Sequence, residues 1–296
     1  INICIMQKII LPFLFILLLP GLFAQGIHPL ESAKNHYKDF LSLSELPDPA
    51  NSHLDEISFP SELYSYALIY VMISPEYLTK KEVEQLKNAM QYPANSSEQT
   101  QAELAFLLDW QKRRTAEQEK RAAEVLAPIG YWPHIDLLEN HKNYQTNRAH
   151  LFYEGRTVLG AQVHDKNYPA TAHLLAGVSK DMRLMEFTVK FHLLRPRPYH
   201  LEKELKPLAQ MSSPSYASGH TLWAYLHAFV WSELVPEKRA EFLDIAYEIG
   251  ESREIMGIHY PSDEEAARVL AHQMLSLMWE NPKFQEDFAK AKAEWE

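Results

Sequence analysis

The sequence predicts an all-α protein. It contains only nine glycines against eighteen prolines, which favours helices that end at proline over a sheet connected by tight turns. Apolar residues recur with helical spacing in most segments, and no convincing run alternates as a strand does. An apolar content of 46% and a charged content of 23% are ordinary for a globular protein with a sizeable core. We therefore predict a single compact helical domain over residues 25–296, built around a central helix bundle.

Helical segments follow one another along this domain. They cover residues 61–73, 79–90, 99–126, about 138–162, 169–195, 221–234, 236–250, 262–279 and 282–295. Thr79 with Glu82, and Ser262 with Glu265, have the spacing of a capping box, which marks the start of a helix. Gly250 is predicted to end the helix before it, because glycine is common just beyond a helix end.

Residues 1–24 resemble a targeting segment. Lys8 precedes the apolar run 9–23, which is short for a membrane span and is interrupted by two prolines, and Ala24 offers a cleavage point. We expect a cleaved signal peptide, with an uncleaved anchor as the alternative. The mature protein is then periplasmic or secreted, without stable membrane insertion. The only cysteine, Cys4, lies upstream of the apolar run, so no disulfide is predicted.

The charge balance excludes one broad class of partner. The formal net charge is −10, whereas a general nucleic-acid binder needs a basic face. No nucleic-acid partner is therefore expected. A local cluster of cations can still oppose the net charge and create a pocket for an anion, and three segments supply the groups for one.

The first segment runs from Lys190 to Pro198. Lys190 and Arg197 are seven residues apart, so a continuous helix would direct both side chains the same way, while Arg195 would point elsewhere. A lysine ammonium and an arginine guanidinium together suit a phosphate group. A basic helix end that interacts with the helix dipole explains the same residues. This segment alone favours that simpler interpretation.

The second segment, residues 215–221, precedes an apolar helix. Gly219 lets the backbone approach an anion closely, and the N–H groups of the first helical turn point toward such an anion. Ser218 adds a hydroxyl donor, and His220 is placed where it could donate a proton to a leaving group. A serine helix cap followed by a surface histidine is an equally good interpretation of this segment alone.

The third segment contributes Arg253, His259 and Asp263. Pro261 disfavours helix at the residue before it, so His259 should lie in a loop just ahead of the next helix. Asp263 can then accept a hydrogen bond from one ring nitrogen of His259 and leave the other nitrogen unprotonated and nucleophilic. A structural salt bridge near a helix start is the alternative.

The three segments together resemble a known signature. In order along the chain they read Lys190-x6-Arg197-Pro198, Ser218-Gly219-His220 and Ser252-Arg253-x5-His259-x3-Asp263. This combination is similar to the three-part motif of the type-2 phosphatidic acid phosphatase superfamily, which also includes vanadium haloperoxidases. Residues 215–221 and 250–268 look more closely like bacterial class A non-specific acid phosphatases. The resemblance covers residues 155–296, and residues 26–150 match only in helical character.

The resemblance implies a role for each matching residue. His259 would attack phosphorus to form a phosphohistidine, Asp263 would orient it, and His220 would protonate the leaving alkoxide and then activate water. The phosphate oxygens would be held by Lys190, Arg197, Ser218, Gly219 and Arg253. Fixed cations can stabilise a transferring phosphoryl group without a metal, so no metal and no cofactor is predicted, and vanadate is expected to inhibit.

We therefore predict an acid phosphatase that hydrolyses small-molecule phosphomonoesters with broad specificity and an acidic to neutral optimum, because His220 must start protonated and His259 neutral. Three alternatives are a haloperoxidase with vanadate as its cofactor, a phosphatase of lipid or diphosphate substrates, and a non-catalytic phosphate-binding protein. The assembly state is open, with a homo-oligomer among the options. Ala217 stands where the family usually has proline, and we expect it to tune activity rather than abolish it.

Overall fold

The computed structural model describes residues 27–64, 66–129 and 139–296. The predicted targeting segment, residues 1–24, and the predicted helix start near residue 138 lie outside these ranges. Within them the regular secondary structure is helical and contains no strand, which confirms the all-α class. No helix of the described ranges is long and apolar enough to cross a membrane.

The α-helices of the described ranges follow the chain in a simple order. They are α1 Lys80–Ala89, α2 Glu98–Arg113, α3 Ala116–Lys120, α4 Tyr144–Leu151, α5 Tyr153–Leu159, α6 Pro169–Leu193, α7 Pro198–Leu201, α8 Gly219–Leu234, α9 Arg239–Ile255, α10 Pro261–Trp279 and α11 Pro282–Lys292. Short 3-10 helices cover His36–Asp39, Pro49–Leu54, Ser61–Leu63, Tyr66–Met72 and Pro236–Lys238, and Arg121–Leu126 is a π-helical segment.

Helix α8 lies at the centre of the fold. Its apolar residues occur on every side, and Trp223, Leu226 and Trp231 are fully buried. A helix that is apolar all round has to be covered all round, and α6, α9 and α10 pack against it. These four helices and the loops at their ends carry all three segments that the sequence singles out.

The prediction of one continuous helix over residues 99–126 is wrong. Helix α2 ends at Arg113 because Arg114 takes an extended conformation, with ψ 137°. Thr115 then begins a new helix, since its hydroxyl accepts a hydrogen bond from the N–H of Gln118 at 3.2 Å. The rest of the predicted helix is α3 followed by the π-helical segment Arg121–Leu126.

The predicted helix end at Gly250 is also wrong. Helix α9 continues to Ile255, and Gly250 lies buried inside it. An added Cβ at Gly250 would come within 3.3 Å of Thr221 and 3.4 Å of Glu264, so a neighbouring helix packs closely there. The chain turns away only at Gly257, which has φ +68°, a value that glycine adopts without strain. As a result, Arg253 lies on the last turn of α9.

Other boundaries shift by smaller amounts. Residues 61–73 form 3-10 helices instead of one α-helix, and their apolar side chains Leu63 and Leu68 stay exposed rather than covered. The predicted helix near 138–162 is two short helices, α4 and α5, divided at Phe152. Helix α6 ends at Leu193, because Leu194 takes a left-handed conformation. The other predicted helices agree with α1, α8, α10 and α11 within a few residues.

Candidate active site

His259 lies in the predicted loop, between α9 and α10. Its Nδ1 is 2.9 Å from the Asp263 carboxylate, which also accepts the backbone N–H of Tyr260 at 3.1 Å. An ionised carboxylate can only accept, so Nδ1 carries the ring proton and Nε2 is unprotonated. Burial and the nearby Arg197 guanidinium hold the pKa of His259 well below its usual value. The ring is therefore neutral, with a nitrogen lone pair at Nε2.

Arg197 faces that lone pair. Its Nη1 is 2.8 Å from His259 Nε2 and donates to the carbonyl oxygen of Ile258 at 2.9 Å. Its Nε donates to the carbonyl oxygen of Ser213 at 2.9 Å. A buried guanidinium held in this way places fixed positive charge beside the nitrogen that would attack.

Lys190, on the last turn of α6, is buried and donates to the carbonyl oxygens of Pro214 at 2.8 Å and Ser215 at 2.9 Å. Burial, followed by the charge of Arg197, lowers the pKa of Lys190 to about 7. Because α6 ends before Arg197, a continuous helix does not align the two cations, contrary to the sequence prediction. Instead, both bind carbonyl groups of the stretch 213–215.

Ser218, Gly219 and His220 open α8. The N–H of Ser218 donates to the carbonyl oxygen of Asp263 at 3.2 Å, which joins this segment to the third one. The Ser218 hydroxyl donates to Thr221 Oγ1 at 3.0 Å. A Cβ at Gly219 would overlap the carboxylate of Glu186, so a side chain there would displace that carboxylate.

His220 and Arg253 share one supporting segment. His220 Nε2 is 2.8 Å from the carbonyl oxygen of Ala127, and Arg253 Nη2 donates to that of Ala122 at 3.0 Å. Burial and the charge of Arg253 lower the pKa of His220 well below its usual value. Lys190 contributes to the lowered pKa of both His220 and His259. Arg253 therefore lowers the pKa of His220, Arg197 lowers the pKa of His259, and Lys190 lowers both.

Arg195 is a site residue that the sequence reasoning missed. It is fully buried, and its Nη1 donates to Asp263 Oδ1 at 2.7 Å and to Ser262 Oγ at 2.8 Å. Burial alone would raise the pKa of Asp263, but Arg195 and the hydrogen bond from His259 outweigh it and hold that pKa below its usual value. Arg195 thus keeps the partner of His259 ionised.

Glu103 and Ser215 complete this support. Glu103, on α2, accepts from the N–H of Ser262 at 2.9 Å and from its hydroxyl at 2.8 Å, and it lies 3.5 Å from Arg195 Nη2. Burial raises the pKa of Glu103 to about 7. Ser215 donates its hydroxyl to Asp263. The predicted capping box at Ser262 is therefore replaced by a long-range contact.

The site combines cations, histidines and hydroxyls with the carboxylates of Asp263 and Glu103. Within residues 27–64, 66–129 and 139–296, no three His, Cys, Asp or Glu side chains converge as metal ligands would. The chemistry that the arrangement itself offers is attack by a neutral imidazole on an anion held between three cations.

The region that carries these residues is similar to known proteins. Residues 170–286 match the family model of the PAP2 superfamily. The chain is 33% identical over 145 residues to a protein named non-specific acid phosphatase from Providencia stuartii, covering 46% of this chain and 58% of that protein. It is 31% identical over 143 residues to a protein of the same name from Salmonella typhimurium, covering 46% and 57%. The matched part therefore spans little more than half of these relatives.

A crystal structure described as a bacterial vanadium-dependent iodoperoxidase has the same helical fold, with a TM-score of 0.52 and 15% identity over 84% of this chain and 65% of that one. At this identity the likeness concerns the fold alone. All eight residues that the sequence singles out as catalytic or phosphate-binding fall within the region matched by the family model. Residues 170–286 of the chain are thus a PAP2 superfamily domain.

Proposed function

We propose that this protein is a phosphatase that hydrolyses phosphomonoesters through a phosphohistidine formed at His259. The observation that carries the proposal is the state of His259, whose Nδ1 is hydrogen-bonded to Asp263 while its Nε2 faces the Arg197 guanidinium. The names of the two relatives support the reaction class. Small-molecule phosphomonoesters are the proposed substrates, with broad specificity.

In the first step, His259 Nε2 attacks phosphorus and the bond from phosphorus to the leaving oxygen breaks. Phosphoryl transfer mainly requires positioning and stabilisation of charge on the equatorial oxygens, which Lys190, Arg197 and Arg253 would supply without a metal. The imidazole becomes positively charged as it bonds to phosphorus. Asp263 stabilises that charge, as the aspartate of a catalytic triad does.

His220 is proposed as the acid of the first step and the base of the second. Burial and the charges of Arg253 and Lys190 keep its pKa low before substrate binds. A bound phosphate adds negative charge beside the ring and raises that pKa, so His220 takes up its proton together with the substrate. It gives the proton to the leaving oxygen. In the second step it removes a proton from the water that attacks phosphorus, the bond from phosphorus to His259 Nε2 breaks, and inorganic phosphate leaves.

A phosphatase assay tests the proposal. The protein should hydrolyse a panel of phosphomonoesters, be inhibited by vanadate and keep its activity in a chelator. Loss of activity in the chelator would contradict the metal-free mechanism. Halide oxidation with vanadate and peroxide, in the absence of phosphatase activity, would favour the haloperoxidase instead.

We also propose that the protein is exported to the periplasm or beyond the cell. The support is the apolar run 9–23 with Lys8 before it. Cell fractionation and amino-terminal sequencing of the exported form test this proposal, with a start near Gln25 expected. An unprocessed protein in the cytoplasm would contradict it.

A further inference from the structure

A buried carboxylate lies where the first two motif segments meet. Glu186 is on α6, one turn before Lys190, and its side chain is 7% exposed. It lies against Gly219, at the place that a Cβ there would occupy. Its Oε2 accepts a hydrogen bond from Arg183 Nη1 at 2.5 Å. Neither Arg183 nor Glu186 belongs to the signature of the three segments.

This position is unexpected for an anion. A carboxylate beside a pocket for phosphate repels the substrate, and a buried charge is costly unless it is paired. Arg183 supplies the pairing, so the cost of burying Glu186 is partly offset. The repulsion of phosphate still needs a compensating benefit. Besides Arg183, helical spacing brings one more cation to the same face of α6, Lys190, four residues on.

Lys190 needs help to stay charged. Its ammonium is buried and donates to backbone carbonyl groups, which carry no net charge. The charged or titratable groups that face it are Glu186 on its own helix, Arg197 after α6, Asp263 and Glu264 on α10, and the two histidines His220 and His259. Burial and Arg197 lower the pKa of Lys190 to about 7, and Glu186 is first among the groups that raise it.

We propose that Glu186 is a positioning residue that stabilises the positive charge of Lys190 and fixes the start of α8, at Gly219, against α6. The inference rests on the proposed phosphatase function and deepens it, because it makes phosphate binding near neutral pH depend on a residue that does not touch phosphate.

Three variants separate the effect of charge from that of packing. Glu186→Gln keeps the shape and removes the charge. Glu186→Asp keeps the charge and withdraws it by one methylene. Glu233→Gln is the matched control, because Glu233 is a part-buried glutamate at the far end of α8, bonded to His28, and fourteen residues of helix place it about 21 Å from Gly219.

The first measurement is kcat/KM against pH for each variant, divided by the wild-type value. Removing the carboxylate lowers the pKa of Lys190, so the lysine loses its proton at a lower pH. We expect Glu186→Gln to stay within about twofold of wild type at pH 5 and to fall about tenfold by pH 7.5. Glu186→Asp should shift in the same direction by less, and Glu233→Gln should not shift. In a Lys190→Arg background the effect of Glu186→Gln should not vary with pH, because a guanidinium stays charged.

The second measurement is equilibrium binding of inorganic phosphate over the same pH range. The ionisation of phosphate itself cancels in the ratio to wild type. We expect the binding ratio of Glu186→Gln to fall with pH as kcat/KM does. If the wild-type protein binds phosphate but hydrolyses no ester, the proposed function is refuted. The binding ratio of Glu186→Gln to wild type still tests the role of Glu186 in that case.

Two results would overturn the inference. One is a loss in Glu186→Gln that is equal at every pH and is shared by Glu186→Asp, which indicates packing alone. The other is a pH profile identical to that of wild type. If Glu186→Gln fails to fold, Glu186→Asp serves in its place. Its pH profile should shift by less than expected for Glu186→Gln, and the shift should vanish in the Lys190→Arg background. A pH-independent loss, or no shift, would overturn the inference as before.

Discussion

The two histidines of the site differ in how they are held. His259 has Asp263 on one ring nitrogen and Arg197 at the other, and Arg195 supports Asp263 in turn. All four residues come from the stretch 195–263. His220 instead relies on a backbone carbonyl of Ala127, from the segment that follows α3.

The difference indicates two kinds of preorganisation. His259, the proposed nucleophile, is fixed by charged groups inside the matched domain, so its geometry exists before substrate arrives. His220, the proposed proton donor, is held in a neutral state and would need the charge of the substrate to take up its proton. Substitutions on the His259 side should therefore affect every substrate, whereas those on the His220 side should depend on the leaving group.

The largest expected effect is that of His259→Ala. Without the nucleophile no phosphohistidine can form, so turnover of every phosphomonoester should fall by at least about a thousandfold. Steady-state assays on the substrate panel measure this loss. His173→Ala is the control, because His173 is 63% exposed and should leave turnover unchanged. Near-normal activity in His259→Ala would contradict the proposed mechanism.

Asp263→Asn should cause the next largest loss of activity. An amide can donate to Nδ1 and so favour the wrong tautomer, a change that costs about ten-thousandfold in kcat in a serine-protease triad. Arg195→Met should cost less, on the order of tenfold to a hundredfold, since Asp263 stays in place with less support. Both should alter kcat more than KM. A change confined to KM would mean that these residues bind substrate rather than orient His259.

His220→Ala should separate substrates by leaving group. General acid catalysis typically contributes about a hundredfold to ten-thousandfold, so alkyl phosphates should lose that much in kcat/KM. Aryl phosphates with stable leaving anions need little protonation and should lose far less. Plotting the logarithm of kcat/KM against leaving-group pKa should give a steeper slope for the variant. An equal loss of kcat/KM for all leaving groups would show that His220 is not the general acid.

Glu103→Gln should have the smallest effect on turnover and a clear effect on stability. The pKa of Glu103 is about 7 in the folded protein, above the ordinary value of 4.5, so the folded state binds more protons than the unfolded state between these pH values. The wild-type free energy of unfolding therefore falls as pH rises from about 4.5 to 7, by on the order of 1–3 kcal/mol from this group.

Urea unfolding at several pH values measures this dependence. The slope of unfolding free energy against pH should flatten in Glu103→Gln, because glutamine does not titrate. An unchanged slope would show that another group causes the pH dependence.

The sequence predicted the helical class and the loop position of His259, because proline and helical spacing act locally. It could not predict where α9 ends. Either Gly250 or Gly257 could end a helix by residue type, but only Gly257 has a positive φ, +68°, and Gly250 lies buried inside α9. The break after Arg113 was missed although Thr115 and Gln118 have capping-box spacing, since the charged residues around them continue a helical pattern.

The residues that hold the site residues in place were harder to predict than the three motif segments themselves. Arg195 was placed away from Arg197 by helical spacing, but spacing alone does not reveal that its partner is Asp263, 68 residues on. The contact of Glu103 with Ser262 spans 159 residues and has no local signal. The closeness of Glu186 to Gly219 depends on how α6 packs on α8. Long-range pairing of this kind is a property of the packed molecule.

The most direct test is to trap the covalent intermediate. His220→Ala protein, mixed with an aryl phosphate and quenched in base, should carry phosphate on the peptide that contains His259, as read by mass spectrometry. The variant should accumulate this species because water activation is slowed. We expect one phosphate on His259 and none in a His259→Ala, His220→Ala double variant. Turnover of the aryl phosphate with phosphate on a different residue, or on none, would contradict it.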